Sequence, residues 1–253
     1  MKKMITELDR LLAHKEELTE EELKIRKKST LMNSSRCEIF EYLCSHPCSS
    51  VSSIAKGLNI SESRVRWHLE KLIWDKLVKL KENSNTIFFP SNMINPEHIN
   101  IFKLLAVDRS NQIFESIKRN EGLYQNELSK KLDLNIRTVM KYTSDLEYFG
   151  LIRGANDGKF KRYYLTDRMK ELRDYYRKNA KIFKEYVLKR TKMDGLRPKV
   201  ILSTPEVLRL KLIAGTKTRV LTVPLIPFAE SKHDLRGMKK DRYMKNKGII
   251  SLL

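Results

Sequence analysis

The chain is short of cysteine, of acid and of long apolar runs, and each shortage excludes something. Three cysteines among 253 residues are too few, and odd in number, for a disulfide framework. The compartment reads as a reducing cytoplasm. The longest charge-free apolar stretch, Val220–Ala229, contains two prolines and is far shorter than the roughly 18–20 residues of a membrane span. No membrane partner is expected. The first residues, Met1-Lys2-Lys3-Met4-Ile5-Thr6-Glu7-Leu8-Asp9, meet acids before any apolar core, unlike a secretory signal peptide. No dinucleotide glycine motif, phosphate loop, nucleophile elbow or zinc-protease motif occurs. The expectation is a protein that is not an enzyme and holds no cofactor and no metal.

Acid is outnumbered by base, 31 Asp+Glu against 51 Lys+Arg, which gives a formal charge of +20. A charge of that size favours a polyanionic partner. Its placement is uneven: 12 bases stand against 5 acids over residues 167–200, and 7 against 2 over 231–253. A merely solvated charged face is the competing explanation.

An internal repeat is present. Shifting the sequence by 74 residues lays Ile39–Val78 on Ile113–Ile152 without a gap, with eight of forty positions identical. The apolar pattern agrees almost throughout, so two modules of one design are expected. In the first, Arg36–Cys44 carries a helical apolar stripe, and Val51–Leu58 is a short second helix. Asn59-Ile60 forms the turn and Ser61 caps a third helix, Glu62–Asp75. Leu77–Lys81 and Thr86–Phe89 flank the turn-forming Glu82-Asn83-Ser84-Asn85 as a hairpin. In the second, Asn135 caps a helix over Ile136–Phe149, which Gly150 closes. A hairpin of Leu151–Arg153 and Phe160–Leu165 follows.

Helix, helix, turn, helix, hairpin is the order of a winged helix-turn-helix. The run Ser61-Glu62-Ser63-Arg64-Val65-Arg66-Trp67-His68-Leu69-Glu70-Lys71-Leu72, leading into Asp75-Lys76-Leu77-Val78, resembles the recognition helix and wing entry of ArsR/MarR-like winged-helix regulators. Asn135-Ile136-Arg137-Thr138-Val139-Met140-Lys141-Tyr142, running to Tyr148-Phe149-Gly150-Leu151-Ile152, resembles it too. The whole chain is similar to archaeal tandem winged-helix transcription regulators, of the kind that includes the euryarchaeal archaellum regulators. The resemblance implies a sequence-specific regulator of transcription that binds double-stranded DNA. Basal-transcription adaptors, RNA- or replication-associated winged-helix proteins, metal- or redox-sensing repressors and nucleic-acid-processing enzymes remain as alternatives. The transcription machinery is a further candidate partner.

In such a fold the third helix leads into the major groove with its N-terminal residues. Val65, Leu69 and Leu72 form the inward stripe, which turns Ser63 and Trp67 outward with Arg64 and Arg66 on the flanks and Lys71 a turn later. Arginine can pair bidentately with guanine or grip phosphate. The same face of the second module carries Arg137, Thr138, Lys141 and Ser144. Its wing, Lys159-Phe160-Lys161-Arg162-Tyr163-Tyr164, interleaves base and aromatic. Alternation along a strand would align Lys159, Lys161 and Tyr163 on one face, with Arg162 beside them. The first wing offers Lys79 and Lys81. Trp74 and Tyr148, equivalent in the repeat, point away from their own cores and suggest a contact between modules or protomers, or a fold back over each hairpin. Cys37, Cys44, His46 and Cys48 hold metal-ligating chemistry, but Cys37 and Cys44 sit on a core stripe and the spacing matches no zinc pattern.

The fold class is therefore mainly α with small β-wings: two tandem winged helix-turn-helix modules plus an N-terminal helix and a C-terminal helical extension. The expected divisions are an N-terminal helical segment, 1–30, with Leu8, Leu11, Leu12 and Leu18; module one, 31–92; a linker helix (Pro96–Ala106) and module two, 93–166; a basic amphipathic helix and small extension, 167–230; and a basic tail, 231–253. The helix Asp167–Lys192 places Met169, Leu172, Tyr176, Phe183 and Val187 in one stripe, either the seam of a homodimer or a brace across the modules. Thr204-Pro205-Glu206 is expected to start a short helix ending at Gly215, and Arg219–Val223 to form a strand.

Overall fold

A computed structural model of the chain describes residues 29–82 and 86–227. The expected N-terminal helical segment, the tip of the first wing and the basic tail lie outside the described residues. After a single 3-10 turn, Thr30–Met32, come α1 (Ser34–Ser45), α2 (Val51–Leu58), α3 (Glu62–Trp74), β1 (Val78–Lys81) and β2 (Ile87–Pro90). A second 3-10 turn, Pro96–His98, leads into the linker helix α4 (Ile99–Leu105). Then follow α5 (Asp108–Arg119), β3 (Leu123–Tyr124), α6 (Gln125–Leu132), α7 (Ile136–Tyr148), β4 (Ile152–Asp157) and β5 (Phe160–Leu165). The long helix α8 (Arg168–Met193) precedes β6 (Arg197–Ser203), β7 (Val207–Ala214) and β8 (Lys217–Pro224). No helix among the described residues is long and apolar enough to cross a membrane.

The repeat is written in the backbone. Ser34–Ser45, Val51–Leu58 and Glu62–Trp74 recur, 74 residues on, as Asp108–Arg119, Gln125–Leu132 and Ile136–Tyr148. The left-handed residues recur with them, Asn59 (φ 56°) with Asp133 (φ 50°) and Lys76 (φ 57°) with Gly150 (φ 67°). Each pair ends a helix with its last carbonyls satisfied, the first before the recognition helix and the second before the wing. Ser61 accepts from Arg64 N at 3.4 Å and Asn135 from Arg137 N at 2.8 Å, so both third helices start on the expected caps. The second hairpin is longer than expected: β4 runs to Asp157 and pairs with β5 down to Asp157–Phe160. Residues 154–157, which lay between the two expected strands, are strand.

The C-terminal extension departs most from the sequence reading. Residues 204–215 form no helix. They lead into and span β7, and Gly215 (φ 57°) turns the chain into β8. The three strands make an antiparallel sheet in the order β6-β7-β8. The reason lies in the side-chain period. Leu208, Leu210 and Leu212 are buried while Arg209 and Lys211 alternate with them, a period of two that only a strand can present to one core. The extension is thus a helix and a sheet, where a helical one was expected.

The stripe of α8 is consumed within the chain. Leu172 and Tyr176 join the core of the second half, with Phe102, Phe114 and Val139. Ala180, Phe183 and Val187 join the core of the first half, with Leu43, Leu72 and the sheet residues Leu208 and Leu221. The helix is a brace, and the dimer-seam alternative loses its surface. Polar contacts tie both ends. The Tyr176 hydroxyl accepts from Asn95 N at 3.2 Å and meets His98 Nδ1 at 3.1 Å. At the other end Arg190 donates to the Asp75 carbonyl, Tyr186 donates to that of Lys76, and Thr30 N donates to Asp194 Oδ2 at 2.7 Å. Burial, and then the neighbouring Asp75, push the Asp194 carboxyl up to about 6. The sheet closes on α1: Thr222 N donates to Glu41 Oε1 at 2.6 Å, and Arg219 Nε to the Met32 carbonyl at 2.9 Å.

Candidate nucleic-acid interface

Helix α3 is held by one face and offers the other. Val65, Leu69 and Leu72 are buried, so at 100° per residue Ser63, Arg66 and Trp67 turn outward, and all three are exposed. Trp67 keeps 50% of its surface open, more than a tryptophan placed for packing alone would keep. It is positioned all the same. The Arg36 guanidinium lies 5.9 Å from its ring centre, with Nε donating to the Thr30 carbonyl at 2.8 Å. Arg64 leans back and donates to Ser35 Oγ at 2.8 Å. Arg66 pairs with Glu62 at 3.0 Å, an exposed helical pair of the kind worth only a few tenths of a kcal/mol. That pair is cheap to exchange for phosphate or a base edge.

Arg36 and Ser35 were missed in the sequence. Both stand at the start of α1, nearly thirty residues from the recognition helix, and no local signal links the two. Buried His68, next along α3, reports the resulting field. Burial lowers its pKa, and Arg36 and Arg64 lower it further. Lys71, Lys79 and Lys81 are exposed on α3 and the first wing.

On α7, Arg137, Lys141 and Ser144 are exposed and Thr138 is half-buried. Lys141 Nζ sits 5.4 Å from the Tyr142 ring centre. This face is less basic and more apolar than its counterpart, with Met140 48% and Tyr148 84% exposed. Trp74 is 40% exposed.

The second wing is arranged differently from the sequence expectation. Tyr163 is buried, because β5 is the central strand in the order β3-β5-β4 and that face lies on the core. Lys161 shares the face, pairs with Glu147 at 2.7 Å and is not a free phosphate ligand. Arg162 pairs with Asp157 at 2.5 Å and donates to the Gly122 carbonyl at 2.9 Å. Lys159, at the tip, is exposed.

The cysteines go inward. Cys37, Cys44 and Cys48 are free and buried, and burial raises all three thiols, Cys48 to about 12. Thiols so placed are small hydrophobes without thiolate character. No group of three or more metal-ligating side chains occurs among the described residues. Replacing Cys37 and Cys44 by alanine is expected to lower thermal stability while leaving duplex affinity indifferent to zinc, copper or oxidant. Fluorescence anisotropy with and without each agent checks this, and a metal-dependent affinity in the unsubstituted protein would overturn it.

Residues 32–79 match the family model described as winged helix-turn-helix DNA-binding. This stretch is a winged helix-turn-helix. The match takes in α1, α2, α3 and the start of β1, so the face of α3 described above lies within it. An uncharacterized HTH-type transcriptional regulator of Methanocaldococcus jannaschii is 28% identical over 143 residues, 55% of this chain. The match spans only 35% of that protein's length. Among solved structures, MarR is 19% identical over 37% of this chain and 73% of its own, with a TM-score of 0.26. A MarR transcriptional regulator from Methanosarcina mazei Go1 is 16% identical over 56% and 90%, also at 0.26. Overlaps of that size leave the reading of the winged helix to rest on its own residues.

Proposed function

We propose that the chain is a transcription regulator that binds duplex DNA sequence-specifically, with α3 and α7 as two unlike reading heads. The observation that carries this is the outward face of α3, Ser63, Arg66 and Trp67, capped by Ser61 and steadied by Arg36, inside the stretch that matches the DNA-binding family. The names of the Methanocaldococcus relative and of the MarR proteins agree with regulation of transcription. The second head rests on the 74-residue recurrence and on Arg137, Lys141 and Ser144. Lys79, Lys81 and Lys159 serve phosphates from the wings, and Lys71 from the helix.

The test is base by base. Arg66→Ala and Lys141→Ala are each expected to cost about 1–3 kcal/mol of duplex affinity and to relax preference at different positions in one site. Both are measured on a panel of single-base changes in a selected high-affinity duplex. A second reading has its own observation, the exposed Met140 and Tyr148 of α7. If Lys141→Ala leaves affinity and preference untouched while Arg66→Ala loses both, α7 is a protein-contact face and the chain an adaptor to the transcription machinery.

A further inference from the structure

The sheet β6-β7-β8, of which only the Arg219–Val223 strand was expected, presents a second basic surface. Arg197, Lys199, Arg209, Lys211, Lys217 and Arg219 are its charged residues, and none of its three strands contains an acid. Register sorts them by face. Val200, Leu210 and Leu221 lie in one row across the sheet, as do Lys199, Lys211 and Val220 in the next. Leu210 and Leu221 are buried, which sets their side of β7 and β8 inward, while Val200 on the edge strand β6 is 46% exposed. Lys199, Lys211 and the 46% exposed Val220 face outward. Lys199 and Lys211 are exposed and directly opposed. Like charges facing each other across an antiparallel pair destabilise it, and no acid of the sheet relieves them. On the same face stand Arg197, opposite Ile213, and Arg209, between Leu202 and Thr222.

We infer that this outward sheet face is a phosphate-backbone contact for duplex DNA, additional to the recognition helices. The inference rests on the DNA-binding reading above and extends it. Three features select duplex nucleic acid as the occupant. A lysine pair that no acid of the sheet relieves gains from a polyanion what its members lose against each other. Protein interfaces deplete lysine at their centres, whereas protein–DNA interfaces are strongly positive. The strands contain no aromatic residue, so the stacking platform that single strands require is missing. The sheet is fastened to the element that carries Arg36, because Thr222 N donates to Glu41 of α1 and Arg219 Nε to the Met32 carbonyl. Backbone contacts of this kind hold the protein in place and carry no sequence information.

The experiment compares the full-length protein with its Lys199→Gln/Lys211→Gln variant on two fluorescein-labelled duplexes, one selected for high affinity and one of scrambled sequence, across a salt series. Losing two phosphate contacts should reduce the slope of log affinity against log salt by about 1.8. Affinity for both duplexes should fall by the same factor, so their ratio stays constant. The melting temperature should be unchanged or higher, since a repulsive pair has been removed. An unchanged slope and affinity, with Arg66→Ala still impaired, would overturn the inference and leave the DNA reading intact. The face would then suit an acidic protein. A loss confined to the selected duplex would also overturn it, by making the face a base reader. If the unsubstituted protein binds neither duplex, the DNA reading falls and this inference with it.

Discussion

Raising the salt from 50 to 200 mM is expected to weaken duplex binding by about 10³–10⁵-fold, the cost of six to ten phosphate contacts. In the proposed reading the contacts come from Arg66, Lys71, Lys79 and Lys81 in the matched stretch and its wing, from Arg137, Lys141 and Lys159 in the recurrence, and from the basic sheet. Lys161 and Arg162 are left out because they are held more closely than Arg66. The Glu147 partner of Lys161 is only 23% exposed, and Arg162 bonds both Asp157 and the Gly122 carbonyl, whereas both sides of the Arg66–Glu62 pair stand open to solvent. An anisotropy titration at several salt concentrations measures the slope. RNA of matching length serves as the competitor that separates duplex DNA from an RNA-binding role. A flat response would argue that the +20 charge is a solvated surface and no nucleic-acid footprint.

Phe183→Ala is expected to cost about 3–5 kcal/mol of stability, a large share of the roughly 5–15 kcal/mol that holds a protein folded. Phe183 is buried where α8 meets the first core and the C-terminal sheet, and three elements lose contacts when its ring is removed. The damage should reach the recognition helix. The far end of α8 holds the C-terminus of α3 through Arg190 and Tyr186, which bond the carbonyls of Asp75 and Lys76. Thermal unfolding followed by circular dichroism gives the loss, and sedimentation gives the mass. A brace predicts a lower melting temperature at unchanged mass. A fall in mass with the melting temperature retained would restore the dimer seam.

The recurring order of helices was legible because its signals are local. Ser61 and Asn135 cap helices whatever surrounds them, and the 74-residue recurrence required only apolar residues in the same order. Helix α8 was legible as a stripe, but a stripe does not say what covers it. Leu172 and Phe183 would look the same in a dimer seam, and the answer came only from the cores on which they close. The sheet was misread because Thr204-Pro205-Glu206 and Gly215 punctuate a hairpin as readily as a helix. The decisive alternation of Leu208, Leu210 and Leu212 with two bases was outweighed by those end signals. At the interface, exposure of Trp67 followed from the wheel. The support of Arg36 did not, since contacts across such a separation leave no periodic trace. Lys161 and Arg162 were singled out by the alternation of base and aromatic along the strand, a pattern blind to Glu147 and Asp157 beside them.

The claim that two unlike heads read one site is tested most directly by selecting bound duplexes from a random pool and sequencing them. The heads carry Arg66 and Trp67 in one case and Arg137, Thr138 and Lys141 in the other. Helix α4 and the brace α8 fix them relative to each other. The account predicts an asymmetric, bipartite motif with constant spacing, its halves about 34–36 Å apart where both helices read the same side of the duplex. A pool that emerges without any enriched sequence would contradict it.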